Sequence, residues 1–476
     1  MRRLRDFPNV VQAFSRIHFV GVGGVGMSGI AEVMLTLGYK VSGSDVTNNN
    51  VTERLKTLGA SIYSGHAASH VVGTDCVVVS AAIPEDNPEV LAAREHGIPI
   101  MQRAAMLAEL MRLRQGIAVA GTHGKTTTTS LIAAVLSEAN FDPTFVIGGK
   151  LLAAGANAKL GSGDWLVAEA DESDRSFLRL NPLISVVTNI DADHLENYGF
   201  DFNAVKATFA EFLLRLPFYG LAVLCIDDQE TAKLARSISR HVMTYGMTPD
   251  ADVHARSMTQ KGGRMHFTLC LPDGMQQPIT LALPGRHNVL NALAAASVGW
   301  QLGVEPETIS NAFHQFAGIS RRFNDLGLLP LPRGGEARVI DDYGHHPREL
   351  AVVFEAVRGG WPSQRLVVAF QPHRYTRTRD QFDAFAAILS TVDALVLSEV
   401  YPAGEEAIPG ADAKSLARAI RARGRREPVV VEQIADLPTV LIDILCDGDV
   451  LLIMGAGDIG QIAQQLIQAK RFGVVS

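Results

Sequence analysis

The sequence is poor in cysteine, has no surplus of basic residues and contains no long apolar run. Its four cysteines, spread over 476 residues, lie at spacings that suit neither a metal site nor a redox pair, so we expect buried thiols in a reducing cytoplasm. A formal net charge of −7 argues against binding to nucleic acid. The apolar runs are shorter than the ~20 residues of a membrane-spanning helix, and a signal-peptide segment does not follow the basic N-terminus. We therefore expect a cytoplasmic protein that binds neither nucleic acid nor membrane.

The chain does contain a regular alternation of strand-like apolar runs with helical patterns. With 47% apolar and 20% charged residues, this alternation predicts a well-packed α/β protein with mainly parallel sheets. The length suits about three domains of ordinary size. From the glycine loops and the strand pattern we place these domains at residues 1–115, 116–324 and 325–476.

The most informative segment is the loop Gly121-Thr-His-Gly-Lys-Thr-Thr-Thr128, which lies between an apolar strand and a helical run. In that context backbone N–H groups and the helix dipole face a nucleotide phosphate. Lys125 can reach the terminal phosphates, and the hydroxyl group of Thr126 can ligate magnesium. Val119 stands where the general P-loop pattern has glycine, and a glycine-rich turn with a surface lysine is the alternative. We expect ATP to be bound by Gly121, Thr122, His123, Gly124, Lys125, Thr126 and Thr127.

A second glycine-rich loop lies near the N-terminus. Gly21, Gly23 and Gly26 follow the pattern G-x-G-x-x-G between a strand and a helix, and Asp45 ends the next strand. This arrangement suits NAD, but its geometry serves any diphosphate, so the residues alone leave the ligand open. Tight packing of the strand on the helix without a ligand is the alternative.

Acidic residues cluster after two strands of the middle region. Four acids lie within Glu169-Ala-Asp-Glu-Ser-Asp174, and Asn189-Ile-Asp-Ala-Asp-His194 follows a later strand. In a parallel sheet both strand ends lie on the edge that carries the phosphate loop. Carboxylate and imidazole groups there would hold magnesium over the ATP phosphates, whereas the alternative is a solvated acidic loop.

Polar segments in the second half of the chain are weaker signals. Asn288 opens a helix and would either contact a nucleotide or cap that helix. Arg322, near a domain boundary, could reach a γ-phosphate when domains close, or be a plain surface arginine. Two further segments, 341–347 and 371–379, place polar and cationic groups after strands, and a helix N-terminus disfavours such cations unless they bind anions. Their candidate residues are Asp342, Tyr343, His345, His346, His373, Arg374 and Arg377.

Taken together, the motifs and their order resemble the Mur ligase family over nearly the full length of the chain. The resemblance implies an α/β protein of three domains: a Rossmann-like N-terminal domain for a UDP-sugar, a P-loop ATPase-like central domain, and a Rossmann-like C-terminal domain. It also accounts for Val119, which is the family's form of the loop. The specific segments are 18–30, 121–128, 169–174, 189–194, 285–291, 341–347 and 371–375.

The resemblance also implies a reaction, ATP-dependent amide formation through an acyl phosphate in peptidoglycan precursor synthesis. The forms of the N-terminal glycine loop and of segment 341–344 imply addition of L-alanine to UDP-N-acetylmuramate. The alternative within the family is the recycling ligase that adds a tripeptide. A dehydrogenase that uses NAD would leave Lys125 and the acid clusters unexplained, and a regulatory ATPase would need no UDP-sugar. The resemblance is compatible with a monomer or a homodimer.

The family's residue roles carry over to matching positions. In the N-terminal domain the UDP-sugar would contact Gly21, Gly23, Gly24, Gly26, Asp45 and Ser80. From the C-terminal domain it would contact His373, Arg374 and Arg377. Magnesium would be held by Thr126, Glu169 and His194, and Lys125 would neutralise the γ-phosphate. Asn288 would contact the adenine, and Arg322 and Asp342 would meet ATP at the domain junction. The C-terminal side of the cleft would be lined by Tyr343, His345 and His346.

Overall fold

The computed structural model of the chain describes residues 15–80, 82–153, 156–424 and 427–471. These residues form two compact units. The first consists of the residues up to 256 together with 268–279 and 290–317, and the second of 257–267, 280–289 and the residues from 318 onward. Within the described ranges, each helix is too short or too polar to cross a bilayer.

A five-stranded parallel sheet forms the N-terminal part of the first unit. Its strands are β1 (Arg16–Val20), β2 (Lys40–Asp45), β3 (Ser61–Ser64), β4 (Cys76–Val79) and β5 (Ile100–Gln102), in the order β3-β2-β1-β4-β5. Its helices are α1 (Val25–Thr36), α2 (Asn50–Thr57), α3 (Pro88–Glu95) and α4 (Arg103–Arg112). Val78 belongs to one apolar core, whereas Val77 and Val79 belong to another. Because neighbouring residues of a strand face opposite sides, both faces of this sheet are covered.

A larger sheet follows, and its first strand leads into the predicted phosphate loop. The strands of this region are β6 (Gln115–Ala120), β7 (Thr144–Leu151), β8 (Ala156–Lys159), β9 (Trp165–Glu169), β10 (Ile184–Val187), β11 (Leu221–Cys225) and β12 (His241–Gly246). Within the first unit the sheet has the order β12-β11-β10-β6-β9-β7-β8. Strands β10, β6 and β9 are parallel neighbours, so their carboxyl ends share one edge. The helices are α5 (Lys125–Glu138), α6 (Phe202–Leu214) and α7 (Gln229–Ser237).

The chain passes between the two units within the next elements. Strands β13 (Val253–Lys261), β14 (Arg264–Cys270) and β15 (Gln276–Leu281) and helix α8 (Arg286–Gln301) each contain residues of both units. Helix α9 (Pro306–His314) belongs to the first unit.

The second unit contains a six-stranded sheet of order β16-β17-β21-β18-β19-β20, in which only the hairpin of the first two strands is antiparallel. Gly334 and Gly335, with φ of +89° and +83°, lie in the turn of that hairpin. The strands are β16 (Asn324–Pro330), β17 (Glu336–Asp342), β18 (Leu366–Phe370), β19 (Ala394–Ser398), β20 (Val429–Val431) and β21 (Val450–Met454). The helices are α10 (Pro347–Gly360), α11 (Tyr375–Asp380), α12 (Phe382–Leu389), α13 (Ala413–Ala422), α14 (Leu437–Ile444) and α15 (Ile459–Arg471).

These sheets confirm the predicted α/β class with mainly parallel strands. The domain boundaries after residues 115 and 324 stay predictions. Cys76, Cys225 and Cys270 are buried as expected, but Cys446 is exposed, because it lies in the short loop between α14 and β21.

Candidate functional site

A cleft of about 490 Å³ in the first unit brings together several predicted segments. The glycine loop after β1, the start of α5 and the acidic segment after β9 all contribute to its lining. Ser80, directly after β4, lies on the same cleft. Its polar and glycine lining consists of Gly21, Gly24, Gly26, Asp45, Ser80, Arg103, Lys125, Gly148, Glu169 and Asp171.

The glycine loop is held by the end of β2. The N–H groups of Gly21 and Val22 donate to the carbonyl oxygen of Ser44 at 2.8 and 3.0 Å. The N–H group of Gly23 donates to Asp45 Oδ2 at 2.8 Å, and a Cβ atom on Gly23 would lie 2.8 Å from that same oxygen. Asp45, predicted to contact the UDP-sugar, therefore holds the loop itself and fixes its backbone conformation.

The loop at residues 121–128 requires glycine at two positions. Gly121 and Gly124 have φ of +131° and +83°, a backbone region that other residues rarely adopt. A Cβ atom on Gly121 would collide with Thr188 Oγ1, and one on Gly124 would lie 2.6 Å from Asn291 Oδ1. Gly124 also directly precedes α5, so the loop opens onto a helix N-terminus, the arrangement that binds phosphate.

The residues after β10 fasten the same loop from the neighbouring strand. The N–H group of Thr122 donates to Asn189 O at 3.1 Å, and that of His123 donates to Asn189 Oδ1 at 2.9 Å. The Nδ2 atom of Asn189 donates back to His123 O at 2.9 Å, and Thr188 Oγ1 donates to the same oxygen at 2.6 Å. The segment after β10 and the phosphate loop after β6 therefore lie at the same edge of the sheet, as predicted, and the segment after β10 anchors the loop.

Lys125 contacts both the loop and the acidic segment. Its Nζ atom donates to Gly121 O at 2.6 Å and to Glu172 Oε1 at 2.9 Å. Burial lowers the pKa of Lys125, but the negative charges of Glu172, Asp171 and Glu169 outweigh that effect and raise the pKa above its ordinary value. Burial raises the pKa of Glu172 to about 7, against the opposing effect of Lys125. The ammonium group thus stays charged where a terminal phosphate would lie.

The hydroxyl group of Thr126 lies beside the carboxylate of Glu169. Thr126 Oγ1 lies 3.1 and 3.0 Å from the two carboxylate oxygens of Glu169, one of which also accepts from Gly148 N at 2.7 Å. Hydroxyl and carboxylate oxygens are the ligands that magnesium prefers. His194, the third predicted ligand, lies after β10 with its ring 3.7 and 3.8 Å from the carboxylates of Asp193 and Glu196. Its part in a magnesium site stays a prediction.

In the second unit, Asp342 binds backbone groups on both sides of its strand. Its two carboxylate oxygens accept from Phe323 N and Gly344 N, each at 2.7 Å. Arg321 donates to the carbonyl oxygens of Gly455 and Gly457, and the guanidinium group of Arg322 lies over the ring of Tyr343, 5.1 Å from its centre. The guanidinium group of Arg321 also lies over this ring, 5.3 Å from its centre, so both arginines meet the aromatic face and Arg321 in addition binds backbone carbonyl groups.

The three candidate histidines of the second unit, His345, His346 and His373, divide into two kinds. His345 and His373 lie 5.6 Å apart between ring centres, and burial lowers the pKa of each to about 4. Arg377 Nη1 lies 3.4 Å from His373 Nδ1, and Arg374 lies 3.4 Å from Glu405. His346 instead caps α10, accepting from Arg348 N at 3.3 Å.

Asn288 does not cap a helix, which was one of its two predicted roles. Helix α8 begins at Arg286, so Asn288 lies in its first turn and is not the residue that caps it. Its Nδ2 atom donates to Pro284 O at 2.7 Å. A contact with adenine stays a prediction.

Two side chains of this region, Arg103 and Glu172, are not singled out by any sequence motif. Arg103, the first residue of α4, lines the cleft and donates to Asp171 Oδ2 at 3.2 Å. A cation at a helix N-terminus is the signal that singled out residues 371–379, and it applies equally to Arg103. Glu172 lay within the acidic segment but was not distinguished from its neighbours, because only burial shows that it is the partner of Lys125.

Three family models match the chain in sequence order. They are the Mur ligase family catalytic domain at residues 16–115, the Mur ligase middle domain at 119–299 and the Mur ligase glutamate ligase domain at 330–457. A UDP-N-acetylmuramate–L-alanine ligase of Xanthomonas campestris is 72% identical over 467 residues, which are 98% of this chain and 98% of the relative.

Two solved structures resemble the fold. A UDP-N-acetylmuramate-alanine ligase from Thermotoga maritima matches with a TM-score of 0.82 and 29% identity, covering 96% of this chain and 99% of that chain. A murein peptide ligase from Psychrobacter arcticus matches with a TM-score of 0.70 and 23% identity, covering 96% of this chain and 98% of that chain. The second likeness concerns the fold alone.

Proposed function

The chain belongs to the Mur ligase family, and we propose that it joins L-alanine to the lactyl carboxylate of UDP-N-acetylmuramate in a reaction driven by ATP. The products are UDP-N-acetylmuramoyl-L-alanine, ADP and phosphate, and the reaction belongs to peptidoglycan precursor synthesis. The relative that is 72% identical bears the name of this activity. Addition of a tripeptide by a recycling ligase is the less favoured alternative.

One observation carries the proposal. Gly21, Gly24 and Gly26 of the glycine loop and Lys125 of the ATP loop line a single cleft of about 490 Å³. Transfer of a phosphoryl group to a sugar-nucleotide carboxylate requires both phosphate-bearing substrates to meet in one volume. A dehydrogenase would need only the first loop, and a simple ATPase only the second.

The chemistry needs activation because a free carboxylate is a poor acyl donor. A lactyl carboxylate oxygen attacks the γ-phosphorus of ATP, the bond from that phosphorus to the ADP oxygen breaks, and an acyl phosphate forms. The amine nitrogen of L-alanine then attacks the acyl carbon. Phosphate leaves with the electron pair of the C–O bond, and the new amide nitrogen releases a proton. Positioning and charge stabilisation supply most of the rate acceleration.

The first unit provides the phosphate contacts in this proposal. The ammonium group of Lys125, which lies against Glu172, would turn to the γ-phosphate. Thr126 and Glu169, with His194 as a third ligand, would hold magnesium, and the 3.0 to 3.1 Å spacing of the two oxygen ligands supports that role. When bound, the ion offsets negative charge on the ATP phosphates.

The second unit would supply the remaining contacts. Asn288 would meet the adenine, Arg322 and Asp342 would meet ATP, and the UDP-sugar and amino acid would contact Tyr343, His345, His346, His373, Arg374 and Arg377. The pKa values of about 4 for His345 and His373 support roles as neutral hydrogen-bonding groups at pH 7. We propose three domains, at 1–115, 116–324 and 325–476, and a cytoplasmic monomer or homodimer.

The test is phosphate release from Mg-ATP with UDP-N-acetylmuramate, in the presence and absence of L-alanine. We expect release only with both, and loss of at least about 1,000-fold in Lys125→Ala, because a principal charge contact to the transferred group is removed. Lys150→Ala, a lysine in β7, is the matched control. Turnover with L-alanyl-γ-D-glutamyl-meso-diaminopimelate but not L-alanine would identify the recycling activity. Release independent of the sugar nucleotide would contradict the proposal.

A further inference from the structure

Arg103 occupies an unfavourable position for a cation. It is the first residue of α4, where the helix dipole repels positive charge. Its side chain is only 23% exposed, so solvent does not fully compensate. Asp171 Oδ2, 3.2 Å away, is its anionic partner. The chain thus keeps a partly buried arginine at a position that the helix itself disfavours, with Asp171 as the carboxylate that offsets its charge.

The guanidinium group lies directly on the glycine loop. A Cβ atom on Gly26 would lie 2.9 Å from Arg103 Nη1 and 3.3 Å from its Cδ atom. Glycine at this position therefore does more than allow the turn, since it leaves the space in which the guanidinium group meets the loop backbone. Arg103 and the loop line the same cleft.

The cleft carries several carboxylates, so a diphosphate bound there needs positive charge nearby. Among the residues that the structure describes, its lining includes the carboxylates of Asp45, Glu169 and Asp171 and two cations, Lys125 and Arg103. Lys125 belongs to the ATP loop and contacts the carbonyl groups of that loop. A diphosphate on the glycine loop would add negative charge beside those carboxylates, and backbone N–H groups carry only partial charges. Arg103 is the full positive charge that the structure places at the loop.

We propose that Arg103 binds the diphosphate of the sugar nucleotide, exchanging its ion pair with Asp171 for a two-point contact with phosphate oxygens. This inference rests on the proposed function and adds a residue to it. A planar guanidinium group suits two phosphate oxygens at once, which a lysine ammonium group does not match. Asp171, which also accepts from Ser173 N at 3.1 Å, keeps that bond when Arg103 turns away.

The experiment measures the affinities of UDP and uridine for the full-length protein by calorimetric titration without ATP. For Arg103→Ala we expect UDP to bind roughly 10- to 100-fold more weakly, the effect of one lost charge-assisted contact, with uridine unchanged. The affinity of Arg103→Lys for UDP should lie between those of wild type and Arg103→Ala. Arg112→Ala removes an arginine of the same helix whose side chain is 67% exposed and pairs with Glu109, and it should bind UDP like wild type.

The outcomes separate this inference from the proposed function. Equal weakening of UDP and uridine in Arg103→Ala would mean that Arg103 supports the fold of the site, and unchanged UDP binding would overturn its role altogether. Failure of the wild-type protein to bind UDP would instead refute the sugar-nucleotide site itself. Arg103→Gln keeps a hydrogen-bond donor for Asp171, so it preserves the local structure if Arg103→Ala does not fold.

Discussion

Glu89→Gln tests a buried network beneath the glycine loop. Glu89 lies in the first turn of α3 and is fully buried. It accepts a hydrogen bond from Ser44 Oγ at 2.6 Å and lies 2.6 Å from His70 Nδ1, 3.0 Å from His66 Nδ1 and 3.5 Å from His18 Nε2. Ser44 is also the residue whose carbonyl oxygen accepts from the glycine loop. The network therefore supports the strand end on which the loop rests.

The magnitude follows from the pKa of Glu89. Burial raises this pKa, but contacts with His18, Ser44 and His70 outweigh burial and lower the pKa from 4.5 to about 2. That difference corresponds to about 3 kcal/mol of unfolding free energy contributed by the carboxylate. Because the folded-state pKa lies below the unfolded value, the contribution is complete above pH 4.5 and is lost as the pH falls towards 2.

The assay is urea unfolding of wild type and Glu89→Gln, followed by hydrogen exchange of the amides in β4 and α3. We expect Glu89→Gln to lower the local unfolding free energy by about 3 kcal/mol at pH 7, and the difference from wild type to narrow between pH 4.5 and pH 2. Glu95→Gln, at the exposed end of the same helix, should change the local unfolding free energy by less than about 0.5 kcal/mol. Equal effects of the two variants, or a difference that does not vary with pH, would refute the reasoning.

Two further substitutions probe loop positions. In Gly23→Ala the new Cβ atom would lie 2.8 Å from Asp45 Oδ2, so the loop must shift and UDP affinity should fall about tenfold; unchanged affinity in a calorimetric titration would show that the loop adapts freely. In Asp342→Asn one of the two backbone groups now bonded by the carboxylate, Phe323 N or Gly344 N, loses its acceptor. Unfolding free energy should fall by about 1–3 kcal/mol, and an unchanged melting temperature would contradict this account.

Sequence patterns predicted the elements that carry strong periodic signals. Residues 366–370 and 450–454 are continuous apolar runs between turns, a pattern that predicts buried strands, and they coincide with β18 and β21. The phosphate loop was recognised because its glycines, lysine and threonine each have a separate physical task. The order of strands within a sheet depends on contacts between distant segments, and a single sequence does not report them.

The parts of the site that the sequence did not reveal depend on burial and on pairing over long distances. Glu89 and His66 lie 23 residues apart, and Arg103 and Asp171 lie 68 residues apart. Each residue alone resembles an ordinary surface charge, and only the fold makes it one partner of a pair. His346 has a second task that the motif does not indicate, because it caps α10, while its place on the cleft stays a prediction.

The geometry of Asp45 bears on the choice of ligand that the glycine pattern left open. In a dinucleotide-binding fold, the acid at the end of the second strand accepts hydrogen bonds from a ribose. Here Asp45 Oδ2 accepts from Gly23 N at 2.8 Å, while Oδ1 accepts from Thr47 N and Thr47 Oγ1, each at 2.9 Å. A carboxylate has about four acceptor sites and these bonds use three of them, so a ribose hydroxyl would be bound beside the bonds that hold the loop. Asp45 therefore shapes a loop that a sugar nucleotide and NAD would use alike, and it is Lys125 on the same cleft that favours the sugar nucleotide, because a dehydrogenase would have no use for a second phosphate loop there.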